Sequence, residues 1–519
     1  MFDILIRNGE LIDGTGAPAR RADIAIAGDR IADIGDLSLA SATMTIEAAG
    51  RLVCPGFIDA HSHSDTYILV EPRAVSKIHQ GITTEICGNC GASAAPRIGR
   101  ARLPSDWADK PYPGGWRSVA EYRDLLAQVK PATNIVLFIG HNTLRAAVMG
   151  YDDRPATADE LRRMQDLLAQ CLEEGGRGFT TGLIYPPGMF AGTDEIVALA
   201  KVAARFNGIY ASHMRSEGAR LLEAIDETIG IGRDAGIRTQ ISHLKTSGKS
   251  NWHLLDQAFA HIRAAREAGI PVAADRYPYT ASGTDLDVVF PAWAEEGGRD
   301  AILARLRDAP TRARLRADIC ASRPDDSWGT IILGSTWHPD LRRFRGHPLT
   351  DAARELELEP VDALLTIVEK DELRTSAFFV GMSEPNMWRI LAEPWVMLGT
   401  DASLRAPEGP LSSDYPHPRA YGSFPRFLRA VLDGRSVPLE ECVRKITSLP
   451  ATQFGLTGRG TLAAGQAADI VVIDPVRLQD NATFLAPHML ASGIDSVIVN
   501  GQLTLDQGAF TGKRGGKML

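Results

Sequence analysis

The sequence predicts an α/β fold whose main domain is a (β/α)8 barrel of the TIM type. Two observations predict it. Eight short apolar runs alternate with helical patterns along the middle of the chain. Several of these runs also end in residues that can bind a metal ion or a substrate, and in such barrels the functional residues lie at the carboxyl ends of the strands. The length of 519 residues allows a large core and more than one domain.

The eight apolar runs are the candidate barrel strands, and helical patterns lie between several of them. Each run is short and ends in small or polar residues, as is typical of parallel strands buried between helices. The predicted strands are 52–63, 83–91, 134–141, 178–185, 209–214, 239–245, 271–279 and 394–401. The clearest predicted helices are 158–174, 194–206, 219–235 and 254–268.

Both ends of the chain have the pattern of β structure. Runs rich in branched residues and separated by turns occur at 2–7, 22–27, 30–34, 468–473 and 494–499. Neither terminal segment is large enough to close a core alone. We therefore predict one small β-sandwich domain built from residues 1–52 together with 460–519, and we assign residues 53–459 to the barrel.

One interval breaks the alternation of strands and helices. Roughly a hundred residues separate the seventh predicted strand from the eighth, far more than a βα loop needs. We predict an insertion over residues 280–348 that rises over the barrel mouth as a lid. A peripheral elaboration without a role in the site is the alternative.

Composition excludes several classes of protein. The net charge of −8 argues against nucleic acid or an anionic membrane as a partner, and no apolar run has the length of a membrane span or a secretory signal. The six cysteines are too scattered for a disulfide framework. We expect a cytoplasmic protein that acts on a small molecule, and a homo-oligomer is compatible with the sequence.

His61 and His63 close the first predicted strand. Side chains at i and i+2 of a strand point the same way, and neutral imidazoles that face one point suit a divalent metal ion. A pair of purely structural histidines is the alternative. The position at a barrel strand end favours the metal site.

Three further candidate ligands end other predicted strands. Cys90 lies in the loop-like sequence Gly-Asn-Cys-Gly, and its thiolate could bind zinc or bridge two metal ions. His213 and His243 each follow a serine near the end of successive strands, so we expect both histidines at the same height in the barrel. A buried thiol and two core histidines are the alternative.

Asp401 ends the eighth predicted strand. A carboxylate beside a metal can bind the ion, take a proton from bound water and later release that proton. A helix-capping or turn aspartate is an equally good interpretation of the spacing alone.

Five residues are candidate contacts to a substrate. Lys245 lies two residues beyond His243, Tyr277 closes the seventh strand, and Arg419 lies in a loop after the eighth. The cations Lys245 and Arg419 can hold a carboxylate, and arginine can do so through two parallel hydrogen bonds. Exposed Lys and Arg side chains are, however, usually solvated. Tyr185 and His141 end the fourth and third predicted strands and complete the set.

These residues and several motifs resemble the amidohydrolase superfamily and, within it, the N-acyl-D-amino-acid deacylases (D-aminoacylases). The segments 55–63, Pro-Gly-Phe-Ile-Asp-Ala-His-Ser-His, and 465–472 are similar to superfamily motifs. The motifs at 88–91, 242–245, 277–279 and 416–424 resemble the deacylase branch. The likeness extends over nearly the whole chain.

The resemblance implies a distorted barrel, a β-sandwich from both termini and bound zinc. A tight zinc position would use Cys90, His213 and His243, and a weaker one would use His61, His63 and Asp401 with Cys90 between the two. Many relatives bridge two metals with a carboxylated lysine. This branch resembles proteins that use cysteine instead, so the resemblance makes Lys245 a substrate contact.

The implied reaction is zinc-dependent hydrolysis of an N-acyl-D-amino acid, with Asp401 moving the proton. The sequence departs from the branch at Thr400, at Arg276 and in the long segment 405–414, so the preferred side chain, acidic or apolar, stays open. The alternatives are a cyclic-amide hydrolase of the hydantoinase or dihydroorotase type, a D-aminoacyl dipeptidase, a deaminase, and a metal-free scaffold descended from such an enzyme.

Overall fold

Strands and helices alternate through the middle of the chain. The computed structural model describes residues 1–103, 109–323, 325–435 and 437–519. Within them the strands are β1 (Phe2–Leu11), β2 (Arg20–Ala27), β3 (Arg30–Gly35), β4 (Ala42–Glu47), β5 (Leu52–Pro55), β6 (Phe57–Asp59), β7 (Ile82–Cys87), β8 (Asn134–Leu137), β9 (Ile139–Gly140), β10 (Phe179–Gly182), β11 (Ile209–His213), β12 (Arg238–Ile241), β13 (Val272–Arg276), β14 (Ala281–Asp285), β15 (Ile331–Leu333), β16 (Ser376–Val380), β17 (Val396–Leu398), β18 (Ile470–Ile473), β19 (Ile494–Val499), β20 (Gln502–Asp506) and β21 (Ala509–Phe510).

The helices connect and cover these strands. In the same residues they are α1 (Tyr67–Val70), α2 (Val75–Ile78), α3 (Val119–Val129), α4 (His141–Val148), α5 (Ala158–Glu173), α6 (Thr193–Arg205), α7 (Leu221–Ala235), α8 (Leu255–Glu267), α9 (Ala292–Glu295), α10 (Arg299–Arg307), α11 (Ala309–Ser322), α12 (Leu349–Glu355), α13 (Pro360–Lys370), α14 (Glu384–Ala392), α15 (Arg419–Leu432), α16 (Leu439–Ile446) and α17 (Ser448–Gln453). The four predicted helices correspond to α5–α8, with ends that differ by at most two residues.

The barrel is built from the eight predicted strand regions. Strands β6, β7 and β8 form one parallel sheet, and β9 to β13 with β17 form another. The two sheets meet at Phe138, where one strand is interrupted between β8 and β9. On the opposite side, Ala60 N donates to Leu398 O at 3.2 Å and Asp401 N donates to His61 O at 2.8 Å. These contacts arrange the strands as a distorted (β/α)8 barrel, which confirms the predicted fold class.

The first predicted strand, 52–63, is in fact two strands. β5 pairs with β1 and β18 in the terminal sheet, whereas β6 belongs to the barrel. The chain passes between the two sheets at Gly56, where a Cβ atom would lie 2.3 Å from Thr83 Oγ1. Only glycine fits this close approach. The prediction of one long strand over 52–63 was therefore wrong. The contact that breaks the strand at Gly56 comes from Thr83, which is distant in the sequence.

Both chain ends form one mixed nine-stranded sheet. Its order is β21-β20-β19-β18-β5-β1-β2-β3, with β4 beside β1. Ile31 N donates to Gln466 O and Ala468 N donates to Asp29 O, both at 2.9 Å, so the β3 end of the sheet folds back toward β18 and encloses the apolar cluster of this domain as a sandwich. A turn at Asn500 and Gly501 joins β19 to β20, and the φ angles of 47° and 77° at these residues suit a tight hairpin. The domain limits at 52 and 460 stay predictions.

The insertion between the last two barrel strands has its own core. β14, β15 and β16 form an antiparallel sheet, and apolar residues of α10, α11, α12 and α13 pack together beside it. Because α13 and β16 contribute to this core, the insertion extends to Val380. The predicted end at 348 lies inside this core and is therefore too early. Residue 324 of the predicted range lies outside the described residues. The role as a lid stays a prediction.

Candidate metal and catalytic site

The six candidate metal ligands meet at one end of the barrel. Each lies at or just beyond the carboxyl end of a parallel strand, so the fold carries them to the same mouth. Three of them adopt left-handed backbone conformations, with φ of 53° at Cys90, 37° at His243 and 49° at Asp401. Such angles are costly for residues other than glycine and concentrate at functional sites.

Two groups of donor atoms share Cys90. In the first group, His243 Nε2 lies 2.9 Å from His213 Nδ1 and 3.5 Å from Cys90 Sγ. In the second, His61 Nε2 lies 3.4 Å from Cys90 Sγ and 3.4 Å from Asp401 Oδ1. His63 Nε2 is 3.1 Å from the same Asp401 oxygen. Spacings of this order fit donors that surround one ion at bonds of about 2.0 to 2.3 Å.

The protonation of Cys90 also suits metal binding. Burial raises the pKa of this thiol, but the positive charges of His61 and His243 outweigh burial and hold the pKa well below its usual value. Burial lowers the pKa of His61, yet Asp275 and Cys90 raise it overall. The negative charge of the Cys90 thiolate and the positive charges of the protonated His61 and His243 rings therefore stabilise each other. A divalent cation that binds here can take the place of the protons on these two rings. A donor set of thiolate and imidazoles is the chemistry that zinc prefers.

Asp401 is paired with Arg419. Arg419 Nη1 lies 2.8 Å from Asp401 Oδ2, and both side chains are nearly buried. Burial raises the pKa of Asp401, but Arg419 and the nearby histidines hold it well below the usual range. Arg419 is the first residue of helix α15, so its predicted place in a loop was wrong. Its Nη2 also donates to Gly283 O of the insertion at 3.1 Å.

Lys245 lies beside His243, as their spacing predicts. Its Nζ is 3.0 Å from His243 Nδ1 and forms a close ion pair with Glu217. Glu217 Oε1 also lies 2.8 Å from His243 Nδ1. Sequence analysis missed Glu217. The only signal was its position four residues after His213 in the same loop. Lys245 lies on the Nδ1 side of His243, away from the nitrogen that faces Cys90.

Tyr277 lies beneath the cations of the site. Its ring is 4.6 Å from the Arg419 guanidinium, 5.8 Å from Lys245 Nζ and 4.1 Å from the Arg276 guanidinium, distances at which cation–π attraction acts. Its buried hydroxyl has no hydrogen-bond partner among the described residues. Alternation along a strand would direct the side chains of Arg276 and Tyr277 to opposite sides, but β13 ends at Arg276, and the Arg276 guanidinium stacks on the Tyr277 ring.

Tyr185 and His141 have different fates. Tyr185 lines the cavity over the ligands, its ring lies 5.0 Å from that of His213, and its hydroxyl is 3.1 Å from Thr284 Oγ1. His141 is fully buried at the start of α4, and its Nε2 contacts Glu195 at 2.8 Å. The structure does not bring His141 to the site, because that residue begins a helix and turns toward α6.

A buried lysine supports the ligands from behind. Lys77 Nζ is fully buried and donates to Asp59 at 2.7 Å and to Thr400 Oγ1 at 2.8 Å. Asp59 also accepts from the main-chain nitrogens of His61 and Thr400. Lys77 thereby ties the first strand to the eighth next to Asp401. No sequence signal singled out Lys77.

The donor groups open into one large cavity of about 2080 Å³. Its floor contains Cys90, His213 and Asp401, and Lys245 and Arg419 lie at its side. Residues of the insertion, among them Phe290 and Phe378, line the outer part. The cavity is thus a concave site with a few convergent polar groups, as small-molecule sites are. Among the described residues, no helix is both long and apolar enough to cross a membrane.

Comparison with known proteins defines the class. The model of the amidohydrolase family matches residues 44–326 and 382–505. The chain therefore belongs to the amidohydrolase family. The stretch left unmatched between these ranges, 327–381, lies almost entirely within the insertion.

Particular relatives are similar over the whole chain. D-aminoacylase of Alcaligenes xylosoxydans xylosoxydans is 38% identical over 100% of this chain and 97% of its own length. N-acyl-D-glutamate deacylase of the same organism is 37% identical over 96% of this chain and 93% of its own. The crystal structure of N-acyl-D-glutamate deacylase from Bordetella bronchiseptica, complexed with zinc and a phosphonate mimic of the tetrahedral intermediate, has a TM-score of 0.84 and 35% identity and covers 100% of this chain and 99% of that one.

Proposed function

We propose that this chain is a zinc-dependent hydrolase that removes the acyl group from N-acyl-D-amino acids and releases a carboxylate and a free D-amino acid. One observation carries the proposal: Cys90, His213 and His243 form a donor cluster directly beside Asp401 and Arg419 at one barrel mouth. The three relatives described above are named D-aminoacylase or N-acyl-D-glutamate deacylase, and these names support the substrate class.

The zinc would be held mainly by Cys90, His213 and His243. His61, His63 and Asp401 would form a second, weaker position that shares Cys90. Bound zinc supplies Lewis-acid polarisation of the scissile carbonyl and lowers the pKa of a coordinated water. The contacts of His243 Nε2 with Cys90 Sγ at 3.5 Å and with His213 Nδ1 at 2.9 Å support this assignment.

Asp401 is the general acid–base residue in this proposal. It accepts the proton of the attacking water and passes it to the leaving nitrogen, which becomes the amine of the product. The ion pair with Arg419 keeps Asp401 ionised, hence ready to accept a proton. Its contacts with His61 and His63 support a role for the carboxylate beside the proposed metal positions.

Lys245 and Arg419 are the proposed binders of the substrate carboxylate. Both line the cavity and both are nearly buried, so their charges act in a site where water screens them little. Tyr277 supports Arg419 from below through its ring, and Tyr185 lies at the wall beside His213. The D configuration of the substrate rests on the named relatives.

The position of Lys245 argues against the cyclic-amide alternative. Hydrolases of that type normally carry a lysine that bridges two metal ions. Lys245 instead contacts Nδ1 of His243, the nitrogen that faces away from Cys90, and pairs with Glu217. The atom placed between the two donor groups is Cys90 Sγ. This favours linear amides over hydantoins.

The proposal predicts hydrolysis of linear N-acetyl-D-amino acids and no turnover of cyclic amides. We expect release of free amino acid from at least one of N-acetyl-D-Glu, -Leu, -Met and -Phe, and none from a hydantoin or a D-dipeptide under the same conditions. Product amine is measured by derivatisation and chromatography. Turnover of the hydantoin alone would replace the proposed reaction with the cyclic one, and the same panel gives the preferred side chain. Location in the cytoplasm and assembly into homo-oligomers stay predictions.

A further inference from the structure

We propose that Asp275 is a positioning residue that fixes both metal positions at once. The proposal rests on the metal assignment of the proposed function. Asp275 lies on β13, the seventh barrel strand, and its side chain is 1% exposed in the barrel interior. No motif in the sequence marks this aspartate, which directly precedes Arg276 and Tyr277.

One oxygen of Asp275 contacts both histidines. Oδ1 lies 3.1 Å from His61 Nδ1 and accepts a hydrogen bond from the main-chain nitrogen of His243 at 2.8 Å. The other oxygen, Oδ2, accepts from Gln240 Nε2 at 2.9 Å. His61 follows the first barrel strand and His243 follows the sixth. A single carboxylate therefore joins the two donor groups from beneath.

For His61, the contact sets which nitrogen faces the metal. With Nδ1–H donating to Asp275, Nε2 carries the lone pair, and Nε2 is the atom that lies 3.4 Å from Cys90 Sγ and from Asp401 Oδ1. Carboxylates hold the far nitrogen of metal-binding histidines in this way. Without this acceptor the ring is free to take the other tautomer or to rotate.

For His243, the contact acts on the main chain. Its φ of 37° is unusual for a histidine, and the hydrogen bond from its nitrogen to Asp275 holds that conformation. The conformation directs Nε2 toward Cys90 and His213. The side chain itself is held separately, through Glu217 on Nδ1. Loss of the Asp275 bond would therefore disturb the first donor group although Asp275 does not touch the metal-facing nitrogen.

The test is metal binding by Asp275→Ala, with cobalt as the probe ion. Alanine removes Oδ1 and, with it, the acceptor for both His61 and His243. We expect affinity for the first and second equivalents of cobalt to fall about 10- to 100-fold, as for other groups that orient metal-binding histidines. Affinity is measured by competition with a chromophoric chelator. The absorption of the cobalt–thiolate bond shows whether the Cys90 position is filled.

Gln240→Met is the matched control, because it removes the third hydrogen bond of the same carboxylate and leaves both histidine contacts intact. Its cobalt affinity should stay within about threefold of the unmodified chain. If Asp275→Ala does not fold, Asp275→Glu replaces it, since that variant keeps the buried charge but displaces the oxygen, and the same loss is expected. A folded variant whose affinities stay within about threefold at both equivalents overturns the inference.

The readout separates this inference from the proposed function, since no substrate enters the assay. Normal cobalt–thiolate binding that weakens in Asp275→Ala, together with no amide hydrolysis, would refute the reaction and leave the role of Asp275 standing. Absence of cobalt–thiolate absorption in the unmodified chain would overturn the metal assignment and this inference with it.

Discussion

Asp401→Asn is expected to lose about 10²- to 10⁴-fold in kcat, the range that general acid–base catalysis contributes. The amide keeps the size of the side chain but cannot take the proton of the attacking water. Tightly bound zinc should be unchanged, because Cys90, His213 and His243 are untouched. Steady-state kinetics on an N-acetyl-D-amino acid, together with the zinc content of the same sample, measures both effects.

Asp414→Asn is a suitable control for this substitution. Asp414 lies on the same segment after the eighth strand and pairs with Arg405 instead of the ligand cluster. Its kcat should stay close to that of the unmodified chain. Full activity in Asp401→Asn would remove Asp401 from the reaction, and loss of zinc together with activity would make it a ligand of the tight position instead.

Cys90→Ala is expected to lose the tightly bound zinc and, with it, at least about 100-fold in activity. The reason is that a Lewis acid stabilises the transition state by several kcal/mol. The thiol is the atom shared by both donor groups, and its removal leaves two imidazoles for the first ion. Zinc equivalents per chain after dialysis and activity at limiting zinc give the two readouts.

Cys87→Ala provides the comparison three residues earlier in the chain. Cys87 is the last residue of β7 and is fully buried, and it is not one of the candidate ligands. The control variant should keep its zinc and its activity and lose only some stability, as small core truncations do. If Cys90→Ala binds one equivalent of zinc as tightly as Cys87→Ala, the ligand assignment is wrong.

The barrel could be predicted because its signal is local. Each buried strand is a short apolar run, and the alternation with helices of three to four turns is visible in the sequence alone. The break at Gly56 could not be predicted in the same way. Its cause is contact with Thr83 and the strand pairing of β5, which depend on distant segments. The insertion was cut short at 348 for a similar reason, since α13 and β16 join its core only in three dimensions.

The candidate ligands could be predicted because each ends a parallel strand. Strand order then brings them together without any further information. The supporting groups had no such signal. Asp275 and Glu217 contact the Nδ1 atoms of His61 and His243, and Lys77 donates to a buried network that joins two strands. These contacts form only in the folded chain. His141 shows the converse error, because a histidine at a strand end can begin a helix and turn away from the mouth.

The most direct test of the account is hydrolysis of paired N-acetyl-D- and N-acetyl-L-amino acids by the zinc-free protein and by the same protein after zinc is restored. The account predicts no release without zinc, and release of the D-amino acid alone once zinc is added. Equal release from both enantiomers would contradict the proposed substrate class, and undiminished release after complete removal of metal would contradict the proposed chemistry of the Cys90, His213 and His243 cluster.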